Sequence, residues 1–235
     1  MVSKHRLFVW LPTIRIPENA AIVISRADDV TFGILHSRFH ELWSLRMCTW
    51  MGVGNDPRYT PTTCFETFPF PAGLTPQDTA NQQTRQLANG AIVPEDTKNK
   101  SAEAIANAAY SLNQRRENWL NPPEWTQRLP EVVPLGMCAS PYPDRIVAKA
   151  GFEKELSERT LTKLYNAKPA WLTAAHQALD QAVATAYGWA DYTPALPDET
   201  ILQRLLALNV ERNVERSGER SGERSGERSG EHSAS

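Results

Sequence analysis

The order of apolar and polar positions predicts strands at the start of the chain. Residues 6–11 and 21–25 are β-branched and aromatic runs with prolines between them, a pattern typical of two neighbouring strands. Two strands alone cannot cover an apolar face in water, so we expect them to belong to a larger folding unit. Residues 31–47 carry apolar residues at helical spacing and predict one helix, with Asp29 or Thr31 as its N-cap. Residues 62–70 predict a strand that ends at prolines.

After residue 72 the apolar spacing becomes mainly helical. Thr75 and Pro76 predict the start of a helix that Gly90 ends, and Ser101 predicts the N-cap of a second helix. Residues 121–149 are rich in proline and predict a long irregular connection. Helical spacing returns over residues 152–165, 169–187 and 198–208, which predicts a small helical bundle.

The end of the chain repeats the unit Glu-Arg-Ser-Gly. Glycine at every fourth position and like charges four residues apart both disfavour a helix, and the repeat has no apolar residue for a core. We therefore predict a disordered tail at residues 213–235. The fold class is predicted to be α+β, with a partial β-rich lobe and one helix at residues 1–72 and a mainly α-helical domain at residues 73–212.

Composition indicates where the protein is found and which kinds of partner it can have. Of the 235 residues 41% are hydrophobic, enough for one core of ordinary size or two small ones, and no apolar run approaches the ~20 residues that cross a bilayer. We expect neither a membrane span nor a secretory signal. The cysteines Cys48, Cys64 and Cys138 are too widely spaced to predict a disulfide framework, which favours a cytoplasmic protein. The net charge of -2 does not by itself indicate nucleic-acid binding.

Two patterns invite a catalytic interpretation. His36 and His40 lie four residues apart on a predicted helix, a spacing that brings two imidazoles to one metal ion. Residues 121–124 read Asn-Pro-Pro-Glu and invite comparison with the Asn-Pro-Pro-aromatic motif of amino-methyltransferases, in which the ring stacks on a flipped base. Glu124 cannot stack, so we interpret this segment as a turn that ends a helix. No catalytic and no cofactor-binding residue is predicted.

Cationic and aromatic side chains of the first region are the candidate DNA contacts. Arginine and lysine neutralise phosphates or read guanine edges, and a tyrosine adds a ring and a hydroxyl. The candidates are Lys4, Arg6, Arg38, Arg46, Arg58 and Tyr59.

Four stretches in this order resemble a known family: residues 32–43, 58–71, 160–166 and 171–189. They resemble the end of class I SAM-dependent, adenine-specific DNA methyltransferases of the MmeI-like kind, some of which are fused to an endonuclease. The resemblance implies that residues 1–72 are the C-terminal part of a DNA target-recognition domain and residues 73–212 the helical C-terminal domain. It implies methylation of adenine N6 in a flipped base, with S-adenosylmethionine as the cofactor of the full-length family.

Since no catalytic or S-adenosylmethionine motif of the family matches a position here, we expect this chain alone to be inactive. Its partners are then DNA and a methyltransferase domain that is encoded separately. Two alternatives stay open. In the first, the chain is a non-functional truncated gene product. In the second, which is weaker, it is a metal-dependent enzyme that uses His36 and His40.

Overall fold

The structure is a computed structural model that describes residues 5–14, 17–18, 21–51 and 56–230, with side chains described through residue 214 except at Asp56. Its helices and strands in chain order are α1 (Asp29–His36), α2 (Arg38–Met47), β1 (Thr49–Met51), β2 (Asp56–Arg58), a π-helical turn (Pro61–Phe65), β3 (Thr84–Gln86), β4 (Ile92–Pro94), α3 (Ala102–Leu120), β5 (Thr126–Leu129), β6 (Arg145–Ala148), α4 (Glu153–Ser157), α5 (Leu161–Ala167), α6 (Ala170–Ala186) and α7 (Asp198–Gly230). The predicted α+β class is confirmed.

Helix α1 lies at the centre of the core. All eight of its residues are buried, and it packs on α3 and α6. A Cβ atom at Gly33 would lie 2.9 Å from the Cβ of Ala109 and 2.9 Å from Cγ2 of Ile105, so only glycine allows this approach of α1 to α3. One hydrophobic core joins α1 and α2 to α3, α6 and the first turns of α7.

The prediction of one helix over residues 31–47 was wrong, because two helices, α1 and α2, occupy this region. Ser37 has extended backbone dihedral angles and its hydroxyl donates to the carbonyl oxygen of Ile34 at 2.6 Å. Helix α2 then begins at Arg38, whose backbone N–H donates to Oδ1 of Asp180 at 2.8 Å. The cap of α2 therefore comes from α6 and not from its neighbour in sequence. The N-cap of α1 is Asp28, one residue before the predicted Asp29.

The predicted strands at residues 6–11 and 21–25 were wrong, because neither segment pairs with a strand in the described part of the chain. The backbone of Phe8 is bonded by side chains: its N–H donates to Nε2 of His36 at 3.1 Å, and its carbonyl accepts from Nη2 of Arg116 at 3.0 Å. The predicted strand at 62–70 is also wrong, since the π-helical turn occupies its first half. The three sheets described are two-stranded antiparallel hairpins, β1–β2, β3–β4 and β5–β6.

The predicted helix at residues 75–90 is replaced by turns and the hairpin β3–β4. Asp78 accepts the backbone N–H of Thr75 at 2.9 Å, which closes a local turn, and Gln82 with φ of 53° ends it. The prolines of residues 121–149 lie outside the paired residues of β5 and β6, so the predicted irregular connection contains a hairpin.

The later helical predictions hold in most places. Helix α3 begins directly after Ser101, and α6 matches the predicted helix at 169–187. The predicted helix 152–165 is two, α4 and α5, and Thr160 caps α5 by accepting the N–H of Lys163 at 3.2 Å. Helix α7 runs to Gly230 and so enters the Glu-Arg-Ser-Gly repeat, for which the sequence predicts a disordered tail at residues 213–235. Among the described side chains, the buried residues of α7, Ile201 and Leu205, lie before the repeat. Among the described helices, none combines the length and apolar character that a membrane span needs.

Candidate nucleic-acid interface

The hairpin β1–β2 presents an unusual exposed surface. Thr49 pairs with Arg58 and Trp50 with Pro57. The Trp50 side chain is 53% exposed and Met51 is 45% exposed, although both are large and apolar. Arg58 on β2 and Arg46 in the last turn of α2 are exposed as well. Because opposed residues share a face and successive pairs alternate, Trp50 and Arg58 stand on opposite faces of this short ribbon, and Arg46 stands on the helix that leads into it.

The base of this hairpin is held by buried polar contacts. Nδ1 of His40 lies 3.0 Å from the carbonyl oxygen of Leu35, and Nε2 lies 3.0 Å from the Tyr59 hydroxyl. Burial lowers the pKa of His40 to about 3 and raises the pKa of Tyr59, so both groups are neutral at pH 7. The neutral imidazole therefore donates from Nδ1 and accepts the Tyr59 hydroxyl at Nε2.

Arg6 completes the base of the hairpin. Its Nη1 donates to the carbonyl oxygen of Pro57 at 3.2 Å, and its guanidinium lies 5.7 Å from the centre of the Tyr59 ring. Arg6 and Tyr59 are both at most 8% exposed. Two of the predicted DNA contacts therefore support the hairpin from inside.

Arg38 joins α2 to the start of α7. Its guanidinium forms an ion pair with Asp198 and donates to the carbonyl oxygens of Pro194 at 3.2 Å and Leu196 at 2.7 Å. This third candidate is thus bonded within the protein. Arg46 and Arg58 remain exposed, and Lys4 lies outside the described residues.

The metal hypothesis for His36 and His40 is contradicted by their hydrogen bonds. Nδ1 of His36 lies 3.1 Å from the carbonyl oxygen of Phe32, while its Nε2 faces the N–H of Phe8 at 3.1 Å and Nη1 of Arg116 at 2.8 Å. Both nitrogens of His40 are engaged too. The described residues contain no group of three metal-ligating side chains. Burial, and then the charge of Arg116, lowers the pKa of His36 well below its ordinary value, so the ring is neutral.

Arg116 is a buried structural residue that the sequence motifs did not predict. Its side chain is 1% exposed and bonds both His36 and the carbonyl of Phe8, so it ties α3 to the N-terminal segment. The sequence does carry a signal, because Arg116 follows Ile105, Ala109 and Leu112 on the buried face of α3. A charged residue on an apolar stripe predicts a buried polar contact.

The Asn-Pro-Pro-Glu segment ends α3, as predicted. Asn121 is the C-cap, and the carbonyl oxygen of Pro122 accepts the N–H groups of Trp125 at 2.9 Å and Thr126 at 3.0 Å. Glu124 is exposed. These bonds form a turn between α3 and β5.

Comparison with known proteins gives one family and one solved structure. Residues 3–72 match the family model described as "MmeI, target recognition domain". No curated protein matches this chain. A solved structure of the type IIL restriction-modification enzyme MmeI in complex with DNA is 18% identical with a TM-score of 0.44, covering 80% of this chain and 17% of that one. This chain thus spans 17% of the length of that enzyme chain. Residues 3–72 are similar to the target recognition domain of MmeI, as the resemblance in the sequence predicts.

Proposed function

We propose that residues 3–72 recognise a DNA target for a restriction-modification enzyme, and that the hairpin β1–β2 is the surface presented to the duplex. The observation that carries this proposal is the match of residues 3–72 to the MmeI target recognition domain. The geometry adds an exposed ribbon with Trp50, Arg58 and the nearby Arg46. A two-stranded β-ribbon has the width that the DNA major groove admits.

Each exposed side chain has a separate part in this proposal. Arg58 reads a base edge or a phosphate, Arg46 neutralises a phosphate, and Trp50 packs against sugar or base. The hairpin and α2 are held in place by Arg6, Tyr59 and Arg38. These three residues therefore position the exposed side chains and do not contact DNA themselves. A fixed base lowers the ordering cost when the ribbon docks. With a net charge of -2 over the chain, affinity depends on the exposed cations Arg46 and Arg58.

Methylation of adenine N6 is the reaction that we propose for the assembled enzyme. S-adenosylmethionine would be bound by a separately encoded methyltransferase domain, and we assign no residue of this chain to it. The helical part, α3 to α7, would hold the recognition segment through contacts such as Arg38 with Asp198.

Selection from a random duplex pool tests DNA recognition. The full chain should enrich a defined sequence, and Arg58→Ala should weaken binding to that sequence by about 10-fold, or ~1–3 kcal/mol for a base contact. Arg46→Ala should reduce the slope of the logarithm of affinity against the logarithm of salt concentration by about one, as expected for the loss of one phosphate contact. Fluorescence anisotropy over a salt series measures both.

Arg128→Ala is the matched control, because it removes an exposed arginine from a different hairpin, β5–β6. We expect it to leave affinity unchanged. The proposal fails if the chain enriches no sequence, or if Arg128→Ala weakens binding as much as Arg58→Ala does.

Reconstitution tests the methylation part. The chain is mixed with an isolated methyltransferase domain of the MmeI-like kind, S-adenosylmethionine and the selected duplex, and N6-methyladenine is measured. Methylation should appear only in the complete mixture. A mixture whose two proteins neither bind each other nor modify the duplex would refute the split enzyme, while leaving DNA recognition to the selection experiment.

A further inference from the structure

A cavity opens between α2, α5, α6 and the segment that leads into α7. Its volume is about 460 Å³, within the range of small-molecule sites, which is about 300–1,000 Å³. Leu42, Leu172 and Pro194 supply apolar wall, and polar side chains supply most of the rest. No described residue of the hairpin β1–β2 lines this cavity. It is therefore separate from the proposed DNA surface.

The wall of this cavity carries a buried carboxyl group. Asp180 is 7% exposed, and its Oδ1 accepts the backbone N–H of Arg38 at 2.8 Å. The second oxygen, Oδ2, forms no hydrogen bond with the described residues. Burial raises the pKa of this carboxyl to about 7, because the charged form has lost water without gaining a full set of partners. A ligand that donates to Oδ2 would complete that set.

A second carboxylate lies on the same wall. Glu41 of α2 lines the cavity and is exposed, and its side chain forms no ion pair within the described part of the chain. Its negative charge adds to the raised pKa of Asp180, so the two carboxyl groups act on each other. A positive charge between them would offset both the burial of Asp180 and this repulsion.

The other charged groups of the cavity leave this end open to a cation. The guanidinium of Arg38 is paired with Asp198. The charge of Lys168 acts on His176 and not on Asp180, so this lysine lies nearer to His176. Burial lowers the pKa of His176 to about 4, so its ring is neutral at pH 7. The remaining titratable groups that line the cavity are His5, Tyr165 and Tyr192.

We propose that this cavity binds an organic cation, an ammonium group on a short alkyl stem, with the ammonium between Glu41 and Asp180. An ammonium group supplies one positive charge and three donors, and Leu42 and Leu172 offer apolar surface to the stem. A hard metal ion fits less well, because it takes about six oxygen ligands and no group of three ligating side chains occurs among the described residues. A free amine or a lysine side chain of a protein carries the required group.

Titration of the 15N-labelled full chain with n-butylamine hydrochloride, at pH 8 and constant ionic strength, tests the cation site. The amide resonance of Arg38 should shift and saturate, since this N–H is bonded to Asp180. n-Butanol has the same length and no charge, and it should bind at least about 10-fold more weakly because hydrogen bonds to charged groups are the stronger ones. The proposal is overturned if n-butylamine gives no saturable shift, or if n-butanol binds as tightly.

Two variants locate the site by removing one charge each. Asp180→Asn and Glu41→Gln should each weaken binding of n-butylamine about 10-fold. Asparagine keeps an acceptor for the N–H of Arg38, and Glu41 is exposed, so both variants should fold, which circular dichroism checks. Glu155→Gln is the matched control, because Glu155 is an exposed glutamate of α4 outside the cavity. Unchanged affinity in both cavity variants, or an equal loss in Glu155→Gln, would count against the site.

A capped lysine, N-acetyl-lysine amide, distinguishes the two sources of the cation. It carries the same ammonium group and stem on a peptide backbone. Binding that is tighter than that of n-butylamine would support a lysine side chain of a protein partner as the natural ligand. Weaker binding would support a free amine. Neither result depends on whether the hairpin recognises DNA.

Discussion

Replacement of Asp180 by asparagine probes the contact that fixes the start of α2. Asp180 lies buried on α6, and its Oδ1 accepts the backbone N–H of Arg38. Burial raises the pKa of this carboxyl to about 7, and Glu41 adds to the rise, while the bond and charge of Arg38 oppose it. Asparagine keeps an oxygen acceptor of the same shape but cannot ionise.

The size and sign of the effect follow from the two pKa values. The carboxyl titrates near 3.8 in the unfolded chain and near 7 in the folded protein, so the folded state binds the proton more tightly. The stabilisation from this proton is complete below pH 3.8 and is lost as the pH rises through 7. At ~1.4 kcal/mol per pH unit, the difference amounts to at most roughly 4 kcal/mol. Asp180→Asn should therefore be more stable than the wild type at pH 8 and of similar stability near pH 4.

Urea unfolding followed by circular dichroism from pH 4.5 to 8.5 measures this difference. Subtracting the wild type from the variant removes the contributions of the histidines, which both proteins share. Asp198→Asn is the control, because Asp198 also contacts Arg38 but has an exposed side chain. Asp198→Asn should lower the free energy of unfolding by no more than about 1 kcal/mol, and this difference should change little between pH 4.5 and 8.5. If the difference between Asp180→Asn and the wild type is the same at pH 5 and pH 8, the reasoning is wrong.

Three further predictions follow from the core and the tail. Gly33→Ala should lower the free energy of unfolding by about 1–2 kcal/mol despite a better helix propensity, because its Cβ meets Ala109; an unchanged melting temperature would contradict this. Arg116→Met should raise the pKa of His36 by removing a nearby positive charge, as NMR titration of the ring can show, and a constant or lower pKa would oppose it. Deletion of residues 215–235 should change stability by less than ~0.5 kcal/mol, since the residues of α7 that are buried among the described side chains, Ile201 and Leu205, precede them; loss of a cooperative melt would refute this.

Local sequence pattern predicted the long helices and failed where distant side chains decide the backbone. Helices α3 and α6 have apolar residues at helical spacing over many turns, and both were found. The break at Ser37 depends on Asp180, which lies 142 residues beyond Arg38. Phe8 lies in a β-prone run, but its N–H and C=O bond His36 and Arg116 and so do not form a ladder. The spacing of apolar residues along the chain does not show contacts with residues that are distant in sequence.

The candidate site was predictable in part for the same reason. Residue type identified Arg46 and Arg58, which the fold leaves exposed on the hairpin and beside it. It also selected Arg6, Arg38 and Tyr59, whose partners Pro57, Asp198 and His40 draw them into the protein. A charged or aromatic side chain can contact DNA or join a buried hydrogen-bond network. Which of the two roles it has depends on its surroundings in the folded protein.

The close packing of α1 limits how residues 3–72, the proposed recognition segment, can be exchanged between related proteins. The match to the target recognition domain ends at residue 72, yet α1 rests on Ile105 and Ala109 of α3, and the first amide of α2 is bonded to Asp180. A chimera cut at residue 72 would join a foreign α1 to helices shaped for Gly33. Grafts intended to change DNA specificity should therefore replace only the hairpin from Thr49 to Arg58, whose exposed side chains can vary without disturbing the helices beneath.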